Sequence, residues 1–481
     1  MSFIDMLDPL YGLLPEVKSP EVKPVLNKRL LWTGIALVLY FVLGNIMVVG
    51  VSEASKAQLG VFEFILASNI GTLLTVGIGP IVLASIILQL LVGAKIIDID
   101  MSDPAQKSKF TSLQKLFAIV LCLVEAVVYS MSGFLFPAEG MFWIVVAQIA
   151  IGAIILLYLD EVVSKYGIGS GIGLFIAANV SHMVFWRIFN PFGADVLAGG
   201  TGALTLGFDV AQGFLFLFIR ELSTTGLFQA SVNYMFPILA AVVVFMVVVF
   251  AEGIHVNIPI TMGRRGTGGR FPVKFLYVSN IPVILAIALF ANVQLMAQVV
   301  TNAKIPYLDV ALNIISQFVT PPSQLLQTIF LEGIPATIFN DVLATIVTLN
   351  VSGSVGSMVV QAFVYLIILT IACIIFGKFW VDMAGQGPSN VAEQLQNAGM
   401  SIPGFRRDPR IIQKVLERYI PPITIMGSAF VGLLAGFADL TGALGSGTGI
   451  LLTVGIIYRL YEELAKMQLM EMHPLLGKLL G

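Results

Sequence analysis

Ten apolar runs, most of them close to the length of one membrane crossing, dominate the chain and leave little freedom in its fold class. A helix rises about 1.5 Å per residue and the hydrocarbon core of a bilayer is about 30 Å thick, so about 20 apolar residues make one crossing. The first five runs are Leu31 to Val49, Phe64 to Ala94, Leu116 to Phe136, Met141 to Leu159 and Tyr166 to Trp186. The second five are Val232 to Ala251, Phe275 to Val300, Val355 to Gly377, Pro421 to Ala438 and Leu440 to Tyr458. Charged residues are 11% of the 481, against about a quarter in a soluble domain. The expected class is an all-α polytopic membrane protein with ten transmembrane helices.

An even number of crossings puts both termini on one side, and lysine and arginine identify that side. Of the 26 basic residues, only Lys56, Arg187, Arg220 and Lys304 fall in the connections opposite the termini. Both termini are therefore expected in the cytosol, and the imbalance supports the span count, because a wrong count would scramble the two sets.

The same map divides the chain. Residues 1–29 read as a short amphipathic helix and an extended linker in which PEVK occurs twice, without the basic start of a cleaved signal peptide. Residues 30–190 hold helices one to five, 191–231 form an outer connection, and 232–481 hold helices six to ten. Cytosolic loops are expected at about 255–274 and 380–420. Two outer stretches, Phe214 to Ile219 and Ser323 to Asn350, are too short or too interrupted to cross and read as interfacial or re-entrant pieces.

One run is too long. Straight and helical, Phe64 to Ala94 would extend about 46 Å. Gly77-Ile78-Gly79-Pro80 supplies a break, since proline lacks a donor and glycine frees the backbone. A half-helix from Phe62 to Val76 is expected before it, the rest of the crossing after it, and a plain proline kink is the alternative. Broken helices at membrane depth occur where they are buried in protein or line an aqueous cavity. The glycine-rich start Tyr166 to Gly173 superficially resembles a phosphate loop, but its spacing fits neither GxGxxG nor GxxxxGK[ST]. Small residues there, and from Gly442 to Gly449, suit close helix packing. Both the break and that start leave branched aliphatic pairs at i, i+4: Ile78 with Val82, and Ile172 with Ile176.

Chemistry-bearing residues are few. Glu125 is the one ionisable residue well inside a predicted run, with Asn292 as a candidate partner across helices. Cys122 and Cys373 sit in apolar runs, His182, His255 and His473 have no metal-ligand spacing, and neither HExxH nor GxSxG occurs. An enzyme is not the expected class.

The string from Tyr158-Leu159-Asp160-Glu161 through Ser164-Lys165-Tyr166-Gly167-Ile168-Gly169-Ser170-Gly171-Ile172-Gly173-Leu174-Phe175-Ile176 resembles the SecY family of protein-conducting channels. So do Gly77-Ile78-Gly79-Pro80, Gln89-Leu90-Leu91, Tyr277-Val278-Ser279-Asn280-Ile281-Pro282, Arg418-Tyr419-Ile420-Pro421-Pro422 and Thr448-Gly449-Ile450-Leu451-Leu452. The likeness runs from span one to the C-terminal tail and is strongest to the archaeal branch.

It implies two pseudo-symmetric inverted halves of five helices, of which Ser68-Asn69-Ile70 and Ser279-Asn280-Ile281 are a faint trace. It implies a central pore with a constriction ring of Ile78, Val82, Ile172, Ile176, Ile284 and Leu452. A plug would include Phe64, Ile65, Leu66, Ala67, Ser68, Ile70 and Gly71, within about 62–76. Spans two and three would face spans seven and eight across a lateral gate holding Glu125, Asn292 and Ser85, with Leu83 where a hydroxyl residue is common in the family. Arg264, Arg265 and Arg270 on one glycine-rich tip, and Arg406 and Arg407 on another, would dock ribosomal RNA.

Implied partners are a SecE (gamma-type) subunit, a Sec beta or SecG-type subunit, the ribosome, signal peptides, nascent chains and membrane lipid. A homo-oligomer is also admitted. No cofactor is implied, and the location is the cell membrane. The rival readings are a secondary transporter, which needs more buried charge than one glutamate, and an intramembrane hydrolase, which needs a nucleophile with its base.

Overall fold

The computed structural model describes residues 15–22, 24–51, 69–93, 96–97, 99, 104–132, 135–192, 211–262, 267–278, 280–303, 307–351, 353–397, 400–401, 409–444 and 446–472. Its first half contains α1 (Leu26–Asn45), α2 (Gly79–Gly93), α3 (Pro104–Met131), α4 (Phe142–Tyr166) and α5 (Gly171–Phe189). A short helix, α6 (Phe214–Leu222), and a π-helical turn at Ser231–Met235 lead into α7 (Phe236–Gly253). After a hairpin of β1 (His255–Met262) and β2 (Thr267–Lys274) comes α8 (Ile281–Ala303). Three short helices follow: α9 (Leu308–Phe318), α10 (Leu325–Glu332) and α11 (Ile338–Thr348). The chain ends with α12 (Val355–Met383), α13 (Pro388–Asn397), β3 (Met400–Ser401), α14 (Pro409–Leu440) and α15 (Gly447–Met472).

Eight helical stretches among the described residues are long and apolar enough to cross a membrane. The second and tenth predicted runs fall on α2 and α15. Of these, α2 is only 15 residues long, and α15 carries Arg459, Glu462 and Glu463 from its midpoint onward. Lipid-facing positions account for the exposed apolar side chains: α7 alone leaves Leu239, Val243, Met246 and Phe250 more than half exposed.

Three expectations are corrected. Residues 69–78 are turns, so no half-helix continues to Val76, and the residues before Asn69 from Ser52 onward lie outside the described set. Side chains there compete with helical bonding: Thr72 Oγ1 donates to Asn69 O at 2.6 Å, and Thr75 Oγ1 donates to Thr72 O at 2.6 Å. Gly77, at φ +60°, makes the last turn before Pro80, so the break is a restart and not a kink. The seventh run likewise begins as turns and becomes helical only at Ile281, where Asn280 O accepts from Val283 N and Ile284 N.

The ninth run errs the other way, because α14 starts at Pro409 and passes through Pro421 and Pro422. Both prolines are exposed, where water or neighbouring groups can meet the carbonyls they free.

Strands are an addition to the expected all-helical chain. They form one sheet in the order β2-β1-β3, with His255 opposite Lys274 and Thr261 opposite Ser401. The N-terminal linker is extended, as its proline content requires, and is tied down: Lys115 Nζ donates to Pro15 O at 2.6 Å and Tyr166 OH to Lys18 O at 2.7 Å.

The principal core lies where the halves meet. It joins residues of α1, α2, α4, α5, α7, α8, α12, α14 and α15 in one buried cluster. Elsewhere α2 packs on both α8 and α12, and α3 touches α8.

Candidate functional site

At the centre of that core, Ile78, Val82, Ile176 and Leu452 are buried to 4% exposure or less, and the half-buried Ile172 and Ile284 pack against them. Four helices deliver five of these side chains, each within its first two turns, and Ile78 stands in the turn immediately before α2. In α2 and α8 the device repeats: a proline at the second helical position, Pro80 or Pro282, is followed two residues later by Val82 or Ile284. Proline is well suited there, because its missing donor is one the helix start would not use. The result is a neck of branched hydrocarbon without polar atoms, a surface that disfavours water and hydrated ions.

A cavity of about 640 Å³ opens beside the neck between α2, α3, α12 and α13. Ser85, Gln89, Gln114, Asn390 and Gln394 line it, and Ile172 forms part of its wall. Ahead of the break, the segment from Asn69 is stitched to the C-terminal end of α1. Val48 N donates to Gly71 O at 2.9 Å and Leu73 N to Ile46 O at 3.0 Å. Ile70 packs against the second core cluster, with Val76 and Leu135. Phe64, Ile65, Leu66, Ala67 and Ser68 lie outside the described residues.

The polar pair of the predicted gate stands on two helices in contact, α3 and α8, and is unjoined. Glu125 on α3 is 4% exposed, and its Oε1 has no hydrogen-bond partner among the described residues. Its other oxygen lies against the start of α2, where a Cβ on Gly79 would come within 2.8 Å of it. Asn292 on α8 instead donates to Ala288 O of its own helix at 2.9 Å. Ser85 accepts from Gln89 Nε2 at 2.8 Å. No bond between Glu125 and Asn292 is present.

Of the basic residues, Arg264, Arg265, Arg406 and Arg407 lie outside the described set, and Arg270 is in β2 opposite Pro259. The β1–β3 pairing of Met262 with Met400 nonetheless brings the stems of the two loops together, which their separation in sequence concealed.

The family model for SecY matches residues 72–461, and one described as the plug domain of Sec61p matches residues 38–71. The chain belongs to the SecY family. The SecY protein translocase subunit of Methanothermobacter thermautotrophicus is 45% identical over 99% of both chains. A structure titled as that of a protein conducting channel superposes with a TM-score of 0.77 at 40% identity, covering 97% of this chain and 98% of that one. The channel of a canine ribosome-channel complex from the endoplasmic reticulum gives 0.74 at 38% identity, with 97% and 98% covered. This SecY chain is thus a multi-pass translocase subunit, and the transporter alternative is set aside.

Sequence reasoning missed two polar groups of this SecY core. Asn280 Nδ2 donates to Leu451 O at 3.2 Å and Leu452 O at 3.4 Å, tying the start of α8 to a neck helix. Its place in the repeated Ser-Asn-Ile was the available signal, because Asn69 likewise donates to a neighbouring helix, at Gly44 O, 2.7 Å away. Asp439, buried at the end of α14, was hidden at the boundary between two apolar runs.

Proposed function

We propose that this chain is the central pore subunit of the translocase, conducting unfolded polypeptides through the neck of Ile78, Val82, Ile172, Ile176, Ile284 and Leu452. The convergence of these six apolar side chains in one buried cluster carries the reading. Packed together they exclude water, and because no directional bond joins them they can part around a strand of any sequence. The segment from about 62 to 76 acts as the plug, and α2 with α3 parts from α8 and α12 to release apolar helices into lipid. A transferred helix gains about 0.3–0.6 kcal/mol for each Leu, Ile, Phe or Val at its centre, so exit needs no further energy source.

The sidedness of lysine and arginine supports cytosolic termini in the cell membrane. SecE-like and Sec beta-like subunits are its expected partners, and the joined stems of the loops at 255–274 and 380–420 present Arg264, Arg265, Arg270, Arg406 and Arg407 to the ribosome. Reversing Arg406 and Arg407 to glutamate weakens ribosome binding more at low salt than at high salt; equal loss at both would remove the docking role.

Crosslinking tests the conduit itself. A stalled nascent chain should react with single cysteines at Ile78, Ile176 and Leu452 and not with cysteines at the lipid-facing Val243 or Phe250. Reaction at the lipid-facing positions alone would refute passage through the neck.

A further inference from the structure

Two helices of the neck begin with the same pattern. Gly171-Ile172-Gly173-Leu174-Phe175-Ile176 opens α5, and Gly447-Thr448-Gly449-Ile450-Leu451-Leu452 opens α15. In each, the last three residues are buried and the sixth is a neck residue. In each, an aspartate of the preceding helix turns back onto this start. Asp160 of α4 accepts Ile172 N at Oδ1, 2.8 Å away. Asp439 of α14 accepts Thr448 N at 2.9 Å and Thr448 Oγ1 at 3.1 Å, both at Oδ1, while its Oδ2 accepts Tyr365 OH of α12 at 2.8 Å.

Glycine makes the approach possible on both sides. A Cβ on Gly171 would lie 2.6 Å from Asp160 Cα, and one on Gly447 would collide with the backbone of Ala438, the residue before Asp439.

The two starts run in opposite directions, because α5 and α15 pack antiparallel. A Cβ on Gly173 would contact Ile456 at 3.5 Å, and one on Gly449 would contact Val180 at 3.3 Å. The same offset pairs Gly169 with Leu460 and sets Ile176 level with Leu452 and Thr453. Each neck residue stands five positions past its glycine, about 7.5 Å along its helix axis. Where the helix start is held along that axis therefore determines where the neck residue stands. An aspartate meeting the unpaired N–H groups of a helix start is a strong way to hold it, since those donors have no partner within the helix.

We propose that Asp160 and Asp439 are positioning residues, a pair of clamps that hold α5 and α15 at matched heights and so keep Ile176 and Leu452 in one seal. The inference rests on the reading of those two side chains as part of the neck. It assigns to the two glycine-rich runs a role in the seal beyond close packing.

The test is the ion conductance of the idle, reconstituted full-length channel. Asp160→Ala and Asp439→Ala should each raise the frequency of open events several-fold, and Asp160→Asn and Asp439→Asn, which retain an acceptor oxygen, should restore most of the seal. Gly171→Ala, which leaves the carboxylate in place and pushes the helix off it, should leak like Asp160→Ala, and combining the two should add little. Leu416→Ala, a buried core change in the separate cluster of α12, α13 and the first part of α14, is the control matched for thermal stability. If it leaks as much as the aspartate variants, the effect is general loosening and the clamps are overturned. Sealed Asp→Ala channels beside a leaky Ile176→Gly channel would overturn the clamps and leave the neck intact. A sealed Ile176→Gly channel would overturn both.

Discussion

The proposed neck and the proposed lateral gate are built on opposite terms. At the neck, hydrocarbon meets hydrocarbon in a shared core, and every contact is non-directional. At the gate, a buried carboxylate faces the start of α2 with one oxygen unpartnered among the described residues, and the amide of Asn292 is spent on its own helix. Packing can be deformed by small steps, because each atom pair contributes only about 0.1–0.2 kcal/mol. An unsatisfied buried polar group instead raises the energy of the state that contains it by about 1–3 kcal/mol. In the proposed function the neck is therefore a seal that yields to a chain, and the gate a contact held short of its most stable form.

Breaking the neck has the largest expected effect. Replacing Ile78 and Ile176 together by glycine removes two fully buried side chains, each worth about 2–5 kcal/mol in comparable truncations. Single-channel recordings should find the idle channel leaking ions, with a lower melting temperature. An unchanged conductance would mean that the hydrocarbon neck is not what seals the channel.

The gate responds in the opposite direction. Glu125→Leu replaces an orphaned carboxylate with an apolar side chain of similar reach, and it should stabilise the closed form by about 1–3 kcal/mol. Thermal unfolding in detergent reads the gain, and signal-peptide crosslinking at α2 and α8 should fall in parallel. A loss of stability would show Glu125 to be satisfied in the resting channel and the contrast with the neck to be false.

The contrast also marks what sequence can disclose. Crossing lengths were legible in the apolar runs, because the bilayer imposes a length that composition must meet. The restart at Gly77 to Pro80 was legible too, since those residues deny a helix its donor and its stiffness. The turns at 69–78 were not, because Thr72 and Thr75 redirect their own backbone by local bonds that hydropathy does not register. Nor was the sheet joining the two basic loops, since Thr261 and Ser401 are far apart in sequence and their strands are short. Asp160 and Asp439 each stand at the edge of an apolar run, and only the fold turns each onto a helix start. The gate pair was legible as chemistry and not as geometry, because whether Asn292 reaches Glu125 depends on a helix rotation that spacing leaves open.

Two asparagines sharpen the comparison at the smallest scale. Asn280 bridges α8 to the carbonyls of Leu451 and Leu452, whereas Asn292, on the same helix, bonds within it at Ala288. Asn280→Ala leaves buried carbonyls of a neck helix without that donor and should cost about 0.5–1.5 kcal/mol, together with a modest rise in idle conductance. Asn292→Ala removes a bond that holds no second element and should change stability by less than about 0.5 kcal/mol. Unfolding and conductance measured on the two single variants decide the matter. If Asn292→Ala proved the more damaging, its amide would hold the gate closed through contacts across helices, and the division between a packed neck and a loosely held gate would have to be redrawn.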